Sequence, residues 1–300
     1  MRIGIFGGDT AGRTIDDVVA DARAAETDGF ASYALPQIFA LDAMGVLSVV
    51  GREVPRITLA TGVVPTYSRH PLTMAQQALT VQAASGGRFV LGIGLSHQMV
   101  IENMFGLSFE RPVRHMREYL AVLMPLLHEG KASFKGETIS TDATIGVELR
   151  VACPVLVAAL GEQMLKLAGS MTEGTVTWMT GPATLASHTV PVIAAAAKEA
   201  GRPAPQILAS LPICVTNDVA AARERAARDF QVYGFLPSYR AMLDREGAEG
   251  PADVAMVGDE AAVEKQVRAL VDAGVTEYVA SIFGSREERA QTRALLKSML

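Results

Sequence analysis

A chain of 300 residues with 49% hydrophobic and 20% charged side chains suits one large core with a solvated surface. A net charge of −5 and an isoelectric point near 5.6 supply no basic footprint for nucleic acid. No apolar run approaches the roughly 20 residues that cross a bilayer, and MRIGIFGGDT opens as a strand and glycine turn rather than an export signal. The expectation is a cytoplasmic protein whose partners are small molecules, with no nucleic acid and no membrane.

Strand-like and helix-like segments alternate from end to end. Arg2 to Phe6 predicts the first strand and Thr14 to Asp28 an amphipathic helix, with Thr14 as N-cap and Gly29 closing it. Ala31 to Leu35 is the second strand, ending at Pro36-Gln37, and Leu41 to Arg52 its helix. Ile57 to Val63 is the third strand, and Pro71 to Ala84 its helix, with proline in the favoured first turn. Arg88 to Ile93 is the fourth.

His97 to Pro112 is too long for a minimal connection and reads as a lid or a plain surface loop. Val113 to Glu129 is a helix, and Lys131 to Val151 a polar excursion with the look of a β-hairpin. Pro154 to Ala159 is the fifth strand, Glu162 to Ser170 its helix, Thr175 to Met179 the sixth strand and Pro182 to Ala200 its helix. Ile207 to Val215 is the seventh strand, Val219 to Tyr233 and Glu260 to Ala273 are helices flanking a GAEGPADVAMVGD insertion, and Val275 to Phe283 is the eighth strand before a closing helix over Arg286 to Met299. Eight strands with eight main helices predict an α/β fold, a (β/α)8 TIM barrel with insertion segments, as one domain over residues 1–300.

The richest stretch runs from Arg56 to His97. The third strand ends in Thr61-Gly62-Val63-Val64-Pro65, where proline stops a central strand, and a backbone feature lining a ligand fits Gly62 and Val63 as well as an ordinary strand exit does. Gly92 and Gly94 in the fourth strand leave room for a flat ligand or for another backbone. Cys153 and Cys214 lack metal or redox spacing and read as buried thiols. HExxH and GxSxG are absent, and the short GIG around Gly92 lacks the spacing of a dinucleotide fingerprint.

Taken together, ATGVVPTYSRHP (Ala60 to Pro71), SGGRFVLGIGLSH (Ser85 to His97), AALGEQMLKLAG (Ala158 to Gly169) and GTVTWMTGP (Gly174 to Pro182) resemble the luciferase-like monooxygenase superfamily, in its actinobacterial branch of coenzyme F420-dependent oxidoreductases. The resemblance implies a non-prolyl cis peptide at Gly62-Val63, with Val64 beside it, backing a deazaflavin or flavin ring. It places cofactor phosphate on the loop Ala159, Leu160, Gly161 and Glu162 and near Thr180 and Gly181. A glycine opening a helix suits an anion on physical grounds too, provided Glu162 points away; the plain alternative is a tight turn.

The activity that the resemblance implies is that of an F420-dependent oxidoreductase, moving a hydride between the deazaflavin and a small organic substrate, with homodimerisation expected from the family. An FMN-dependent monooxygenase and a non-catalytic flavin- or deazaflavin-binding protein are the alternatives. His97, after a strand end, is the first candidate for the acid that accompanies hydride transfer, or else a loop histidine orienting a turn. Gln37 stands where many relatives carry an acidic residue or histidine, and could orient substrate. Glu102 is a second acid on the lid segment, or a solvated charge. His70 is a cofactor-side or structural donor, and Arg69 a contact for the acidic tail of the coenzyme. His115, His128 and His188 read as structural or exposed. Met99, Met104, Phe39, Phe105, Phe235 and Tyr239 could build an apolar pocket or belong to the core.

Overall fold

Segments such as SYAL and VLVA are apolar on both faces, as strands must be when helices cover one side of a parallel sheet and a closed interior fills the other. In the computed structural model, which describes residues 1–148 and 151–300, eight such strands run parallel. They are β1 (Arg2–Phe6), β2 (Ser32–Leu35), β3 (Thr58–Thr61), β4 (Phe89–Gly94), β5 (Val155–Ala158), β6 (Gly174–Trp178), β7 (Gln206–Ser210) and β8 (Glu277–Ile282). They pair in chain order, and the sheet closes where β8 returns to β1, Arg2 opposite Glu277 and Ile5 opposite Ala280. The fold is the expected (β/α)8 TIM barrel.

Around it lie α1 (Ile15–Asp28), α2 (Ala43–Glu53), α3 (Pro71–Ala84), α4 (Gln98–Asn103), α5 (Pro112–Glu129), α6 (Glu162–Met171), α7 (Pro182–Thr184), α8 (Val190–Glu199), α9 (Val219–Asp229), α10 (Pro237–Glu246), α11 (Pro251–Val254), α12 (Glu260–Asp272) and α13 (Arg286–Ser298). Ala34, Ala60, Leu156, Val176, Leu208 and Val279 fill the interior, with Phe6, Val63 and Val90 against them. The alternate residues, among them Tyr33, Leu35, Leu59, Leu91, Ile93, Val155 and Val157, face the helices. Thr14 and Asp17 form a reciprocal capping box at α1, and Gly29 ends that helix in the left-handed conformation.

Proline or glycine stands at the breaks in two expected strands and one expected helix. The third strand is expected to run from Ile57 to Val63, but β3 stops at Thr61. The Gly62-Val63 peptide is cis, and Val64–Pro65 then resumes pairing with β4, Val64 opposite Ile93. Pro65 is tolerated because this two-residue stretch pairs on one side only. The seventh strand, expected over Ile207 to Val215, divides before Pro212, whose missing N–H cannot continue a barrel ladder. Pro212–Val215 swings out to pair with the end of β8 and with Met256–Gly258, a strand inside the GAEGPADVAMVGD insertion.

The helix expected over Pro182 to Ala200 is interrupted by a π turn at Leu185–Thr189, next to Pro191. The one expected over Val219 to Tyr233 stops at Asp229, and a 3-10 turn (Gln231–Gly234) leads into α10. In the polar excursion, Lys131–Lys135 and Ser140–Thr144 form the antiparallel hairpin; residues 149 and 150 of that excursion lie outside the described residues.

Candidate active site

The carboxyl ends of the strands, where barrels carry their chemistry, hold most of the candidate residues. β3 is locked to β4 by a reciprocal pair of hydrogen bonds: Thr61 Oγ1 donates to the Gly92 carbonyl and accepts from the Gly92 N–H, both at 2.8 Å. A Cβ at Gly92 would lie 2.0 Å from the Thr61 carbonyl oxygen, and one at Gly94 would lie 2.8 Å from Val63 Cγ2. The two glycines therefore make room for the neighbouring chain segment. Val63 sits across them at the top of the barrel interior, and Gly62 rests on the Phe6 ring.

From Phe6 a run of rings crosses the mouth. Phe6 stacks with Trp178 at 5.9 Å, Trp178 meets Tyr233 edge-on at 5.8 Å, Tyr233 meets Tyr239 at 5.0 Å, and Tyr239 reaches His97 at 5.9 Å. The contacts join the ends of β1 and β6, the turn before α10, α10 itself and the loop after β4. Trp178 is the chain's single tryptophan. Sequence reasoning misses it, although it shares the inward phase of Val176 two residues earlier, a signal that could have found it. Just beyond β4 and β6, Ser96 and Met179 hold left-handed φ values of 61° and 53°, as Arg111 does at 51° before α5, a strained conformation that clusters at functional sites.

His97 is the N-cap residue of α4, half-buried and without a side-chain capping bond. Burial lowers its pKa below the ordinary histidine value, so the ring is neutral at pH 7. Gln37 is committed elsewhere: its Oε1 accepts from the Ala43 N–H at 2.8 Å, starting α2, while its own backbone N–H donates to the Val63 carbonyl at 3.4 Å. Glu102 is exposed on α4 and accepts from Gln98 at 3.1 Å. His70 caps α3 by accepting from the Leu72 N–H at 3.2 Å, and Arg69 is ion-paired with Asp42.

On the far side of the mouth Ala159 is buried, and His188 Nε2 donates to the Leu160 carbonyl at 2.9 Å; His188 is a buried structural residue. Gly161 is the N-cap of α6 without a side-chain cap, and open space surrounds the position its Cβ would take. Glu162 is exposed and paired with Lys166 at 2.7 Å, one turn along the outer surface. The first amides of this helix have no side-chain acceptor, and the helix dipole favours negative charge beside them.

The companion loop differs. Thr180 is buried, its hydroxyl donating to the Trp178 carbonyl at 3.3 Å. A Cβ at Gly181 would meet the Glu246 carboxyl group at 2.3 Å, and that carboxylate accepts from the N–H groups of Ala183 at 3.1 Å and Thr184 at 2.7 Å. Glu246 already serves as the anion of that helix start, a role that sequence spacing could not show across more than sixty residues. Among the described residues no group of three or more His, Cys, Asp or Glu side chains could hold a metal ion, and no helix is long and apolar enough to cross a membrane.

Known proteins resemble this arrangement. The sequence model of the luciferase-like monooxygenase family matches residues 1–290. A 5,10-methylenetetrahydromethanopterin reductase of Methanolobus tindarius is 28% identical, over 87% of this chain and 80% of its own length. A putative coenzyme F420-dependent oxidoreductase of Mycobacterium tuberculosis is 26% identical, over 77% and 70%. The fold matches the coenzyme F420 dependent tetrahydromethanopterin reductase of Methanopyrus kandleri with a TM-score of 0.81, 22% identity and coverage of 99% and 97%. It also matches the FMN-bound oxygenating constituent of a Pseudomonas putida 3,6-diketocamphane monooxygenase, with a TM-score of 0.77, 15% identity and coverage of 99% and 96%.

Proposed function

Because the chain belongs to the luciferase-like monooxygenase family and is an enzyme of that oxidoreductase class, we propose that it is a coenzyme F420-dependent oxidoreductase acting on a small organic substrate. The observation that carries the cofactor reading is the open, uncapped amino end of α6 at Gly161, directly after β5. The methanopterin reductase and the mycobacterial F420-dependent relative support the choice of deazaflavin.

The residues present fit such a coenzyme. The amides at Gly161, Glu162 and Gln163 would hold its phosphate through hydrogen bonds and the helix dipole. Thr180 and Gly181, expected beside the phosphate, would border it only from a loop whose helix start the Glu246 carboxylate already occupies. Gly62, Val63 and Val64, braced by Thr61 on Gly92, would back the ring. When bound, the deazaflavin supplies a ring carbon that donates or accepts a hydride.

The protein's share is positioning and proton management. A neutral His97 offers one ring N–H to donate and one lone pair to accept, which is what the proton that accompanies hydride transfer requires. Tyr239 holds the His97 ring from one side. Gln37, its side chain engaged with α2, acts here through the backbone bond to Val63. Glu102 is exposed on α4, its carboxylate accepting from Gln98.

Trp178 gives the test its reporter. Oxidised F420 and, separately, FMN are titrated into the purified protein while the single-tryptophan fluorescence is followed. Saturable quenching by F420 with weak FMN binding supports the proposal, preference for FMN selects flavin monooxygenase chemistry, and no response to either overturns the cofactor assignment.

A further inference from the structure

The helix that follows β6 contains the π turn at Leu185–Thr189, where the Val190 N–H donates to the Leu185 carbonyl five residues back. The extra residue shifts the side chains beside it out of the ordinary helical phase, and such turns recur at functional sites. Here the turn carries His188. Its ring is 8% exposed, and Nε2 donates at 2.9 Å to the Leu160 carbonyl in the loop between β5 and α6. Among the described residues this is the one hydrogen bond that a side chain makes to Ala159, Leu160 or Gly161.

The segment that bears His188 is fixed at both ends. Ahead of it, the Glu246 carboxylate accepts from the Ala183 and Thr184 N–H groups, and the Thr184 hydroxyl donates to the Met242 carbonyl at 3.3 Å, so α10 anchors the start of α7. After it, α8 packs on α6 so closely that a Cβ at Gly169 would lie 2.4 Å from the Ile193 carbonyl oxygen. His188 thus reaches from a rigid frame to the carbonyl one residue before Gly161. The same corner carries positive charge. The Glu162 carboxyl is held below the ordinary carboxylate range first by its bond to Lys166 and further by His188 and Arg245, and Arg245 is exposed on α10 with no ion pair among the described residues.

We propose that His188 is a positioning residue for coenzyme binding: through Leu160 it fixes where the first amides of α6 stand, and so sets the affinity for the phosphate of the coenzyme. A loop already held in place spares the ligand the cost of ordering it. This rests on the coenzyme reading of Gly161 and deepens it by assigning the side chain that aims the seat.

The experiment compares His188→Gln with His188→Asn, titrating F420 and its phosphate-free deazaflavin riboside while Trp178 fluorescence is followed. A glutamine amide nitrogen reaches the place of Nε2 and can donate to Leu160, whereas that of asparagine stops at the place of Nδ1. His188→Asn is expected to weaken F420 by about tenfold, the order of one lost hydrogen bond, and to leave riboside affinity unchanged, which also shows that the variant is folded. His188→Gln is expected to recover most of the F420 affinity. A merely structural histidine would shift the two ligands alike, or shift neither, with Tm lowered in both variants; either result overturns the proposal, as does F420 binding no tighter in His188→Gln than in His188→Asn. Wild-type protein that binds neither ligand sinks the coenzyme reading and the role of His188 with it. Wild-type protein that binds both, with F420 affinity unchanged in His188→Asn, sinks the role of His188 alone.

Discussion

Val63 occupies the space a side chain at Gly94 would need: a Cβ there would lie 2.8 Å from Val63 Cγ2 and 3.1 Å from the Ala158 Cβ. At Gly92 the obstacle is firmer, because the atom 2.0 Å away is the Thr61 carbonyl oxygen, fixed in the backbone. Gly92→Ala is therefore expected to destabilise the protein by about 3 kcal/mol or more, since the overpacked strand cannot relax. Gly94→Ala displaces a side chain and is expected to cost about 1–3 kcal/mol while weakening F420 binding through the shifted Val63. Thermal denaturation alongside the F420 titration checks both, and equal stability of the two variants would count against a backbone obstacle at Gly92.

At Gly161 stability and binding should move in opposite directions. Its backbone is extended and its Cβ direction open, so Gly161→Asp places a good N-cap on α6 and is expected to stabilise the fold by a few tenths of a kcal/mol. The same carboxylate fills and repels the phosphate seat, so F420 affinity should fall at least tenfold. Loss of affinity with unchanged or raised Tm supports the seat. Unchanged affinity would falsify it.

The barrel was legible because its strands are buried on both faces and its helices begin and end with strong signals such as Thr14 and Gly29. Local chemistry marked the breaks less well. Pro212 announces an interruption, yet nothing nearby says that Pro212–Val215 will pair with Met256–Gly258. Gly92 and Gly94 signal a close approach without naming what approaches, since the answer, Thr61 and Val63, lies some thirty residues earlier. Glu246 and Trp178 owe their importance to partners on other elements, and only Trp178 left a trace, in the inward phase of β6. Gln37, His70 and Arg69 suit a ligand by their place after strand ends, but the structure commits them to Ala43, Leu72 and Asp42.

Glu246 ties α10, and with it Tyr239, to the start of α7. Glu246→Ala removes the acceptor for the Ala183 and Thr184 amides and is expected to cost about 1–2 kcal/mol, as loss of a helix cap does. Glu246→Gln keeps one acceptor oxygen and should recover part of that. If the tether positions the aromatic wall, Trp178 emission shifts in the alanine variant under native conditions and returns toward wild type in the glutamine variant. A purely local cap would lower Tm with no change in emission.

Two buried groups, His115 and Glu118, contribute to the acid limb of the stability curve. Burial draws the His115 imidazole, stacked on Tyr67 at 3.9 Å, down from 6.5 to about 4, with Glu118 partly opposing. Burial pushes the Glu118 carboxyl up, but the Thr138 hydroxyl and the N–H groups of Thr138, Glu137 and Ile139 outweigh it and hold the pKa at about 2, against an ordinary 4.5. For both groups the folded state binds fewer protons than the unfolded chain between the two values, so stability rises with pH through each window. The urea midpoint should be flat above pH 6.5, decline from 6.5 to 4 as His115 is forced to charge, and decline further from 4.5 toward 2 as Glu118 is protonated. His115→Asn should make the decline in the upper window alone shallower, with His97, whose pKa burial also lowers, still contributing there. Glu118→Gln should make the decline in the lower one shallower, with Glu288, also held at about 2, still contributing, while removing about 2–4 kcal/mol at pH 7, because the hairpin amides lose a charged acceptor. A midpoint that holds constant from about pH 7 to 4 in the wild type would show that His115 is not as protected from protonation as its contacts require, and one that holds constant from about 4.5 to 2 would show the same of Glu118.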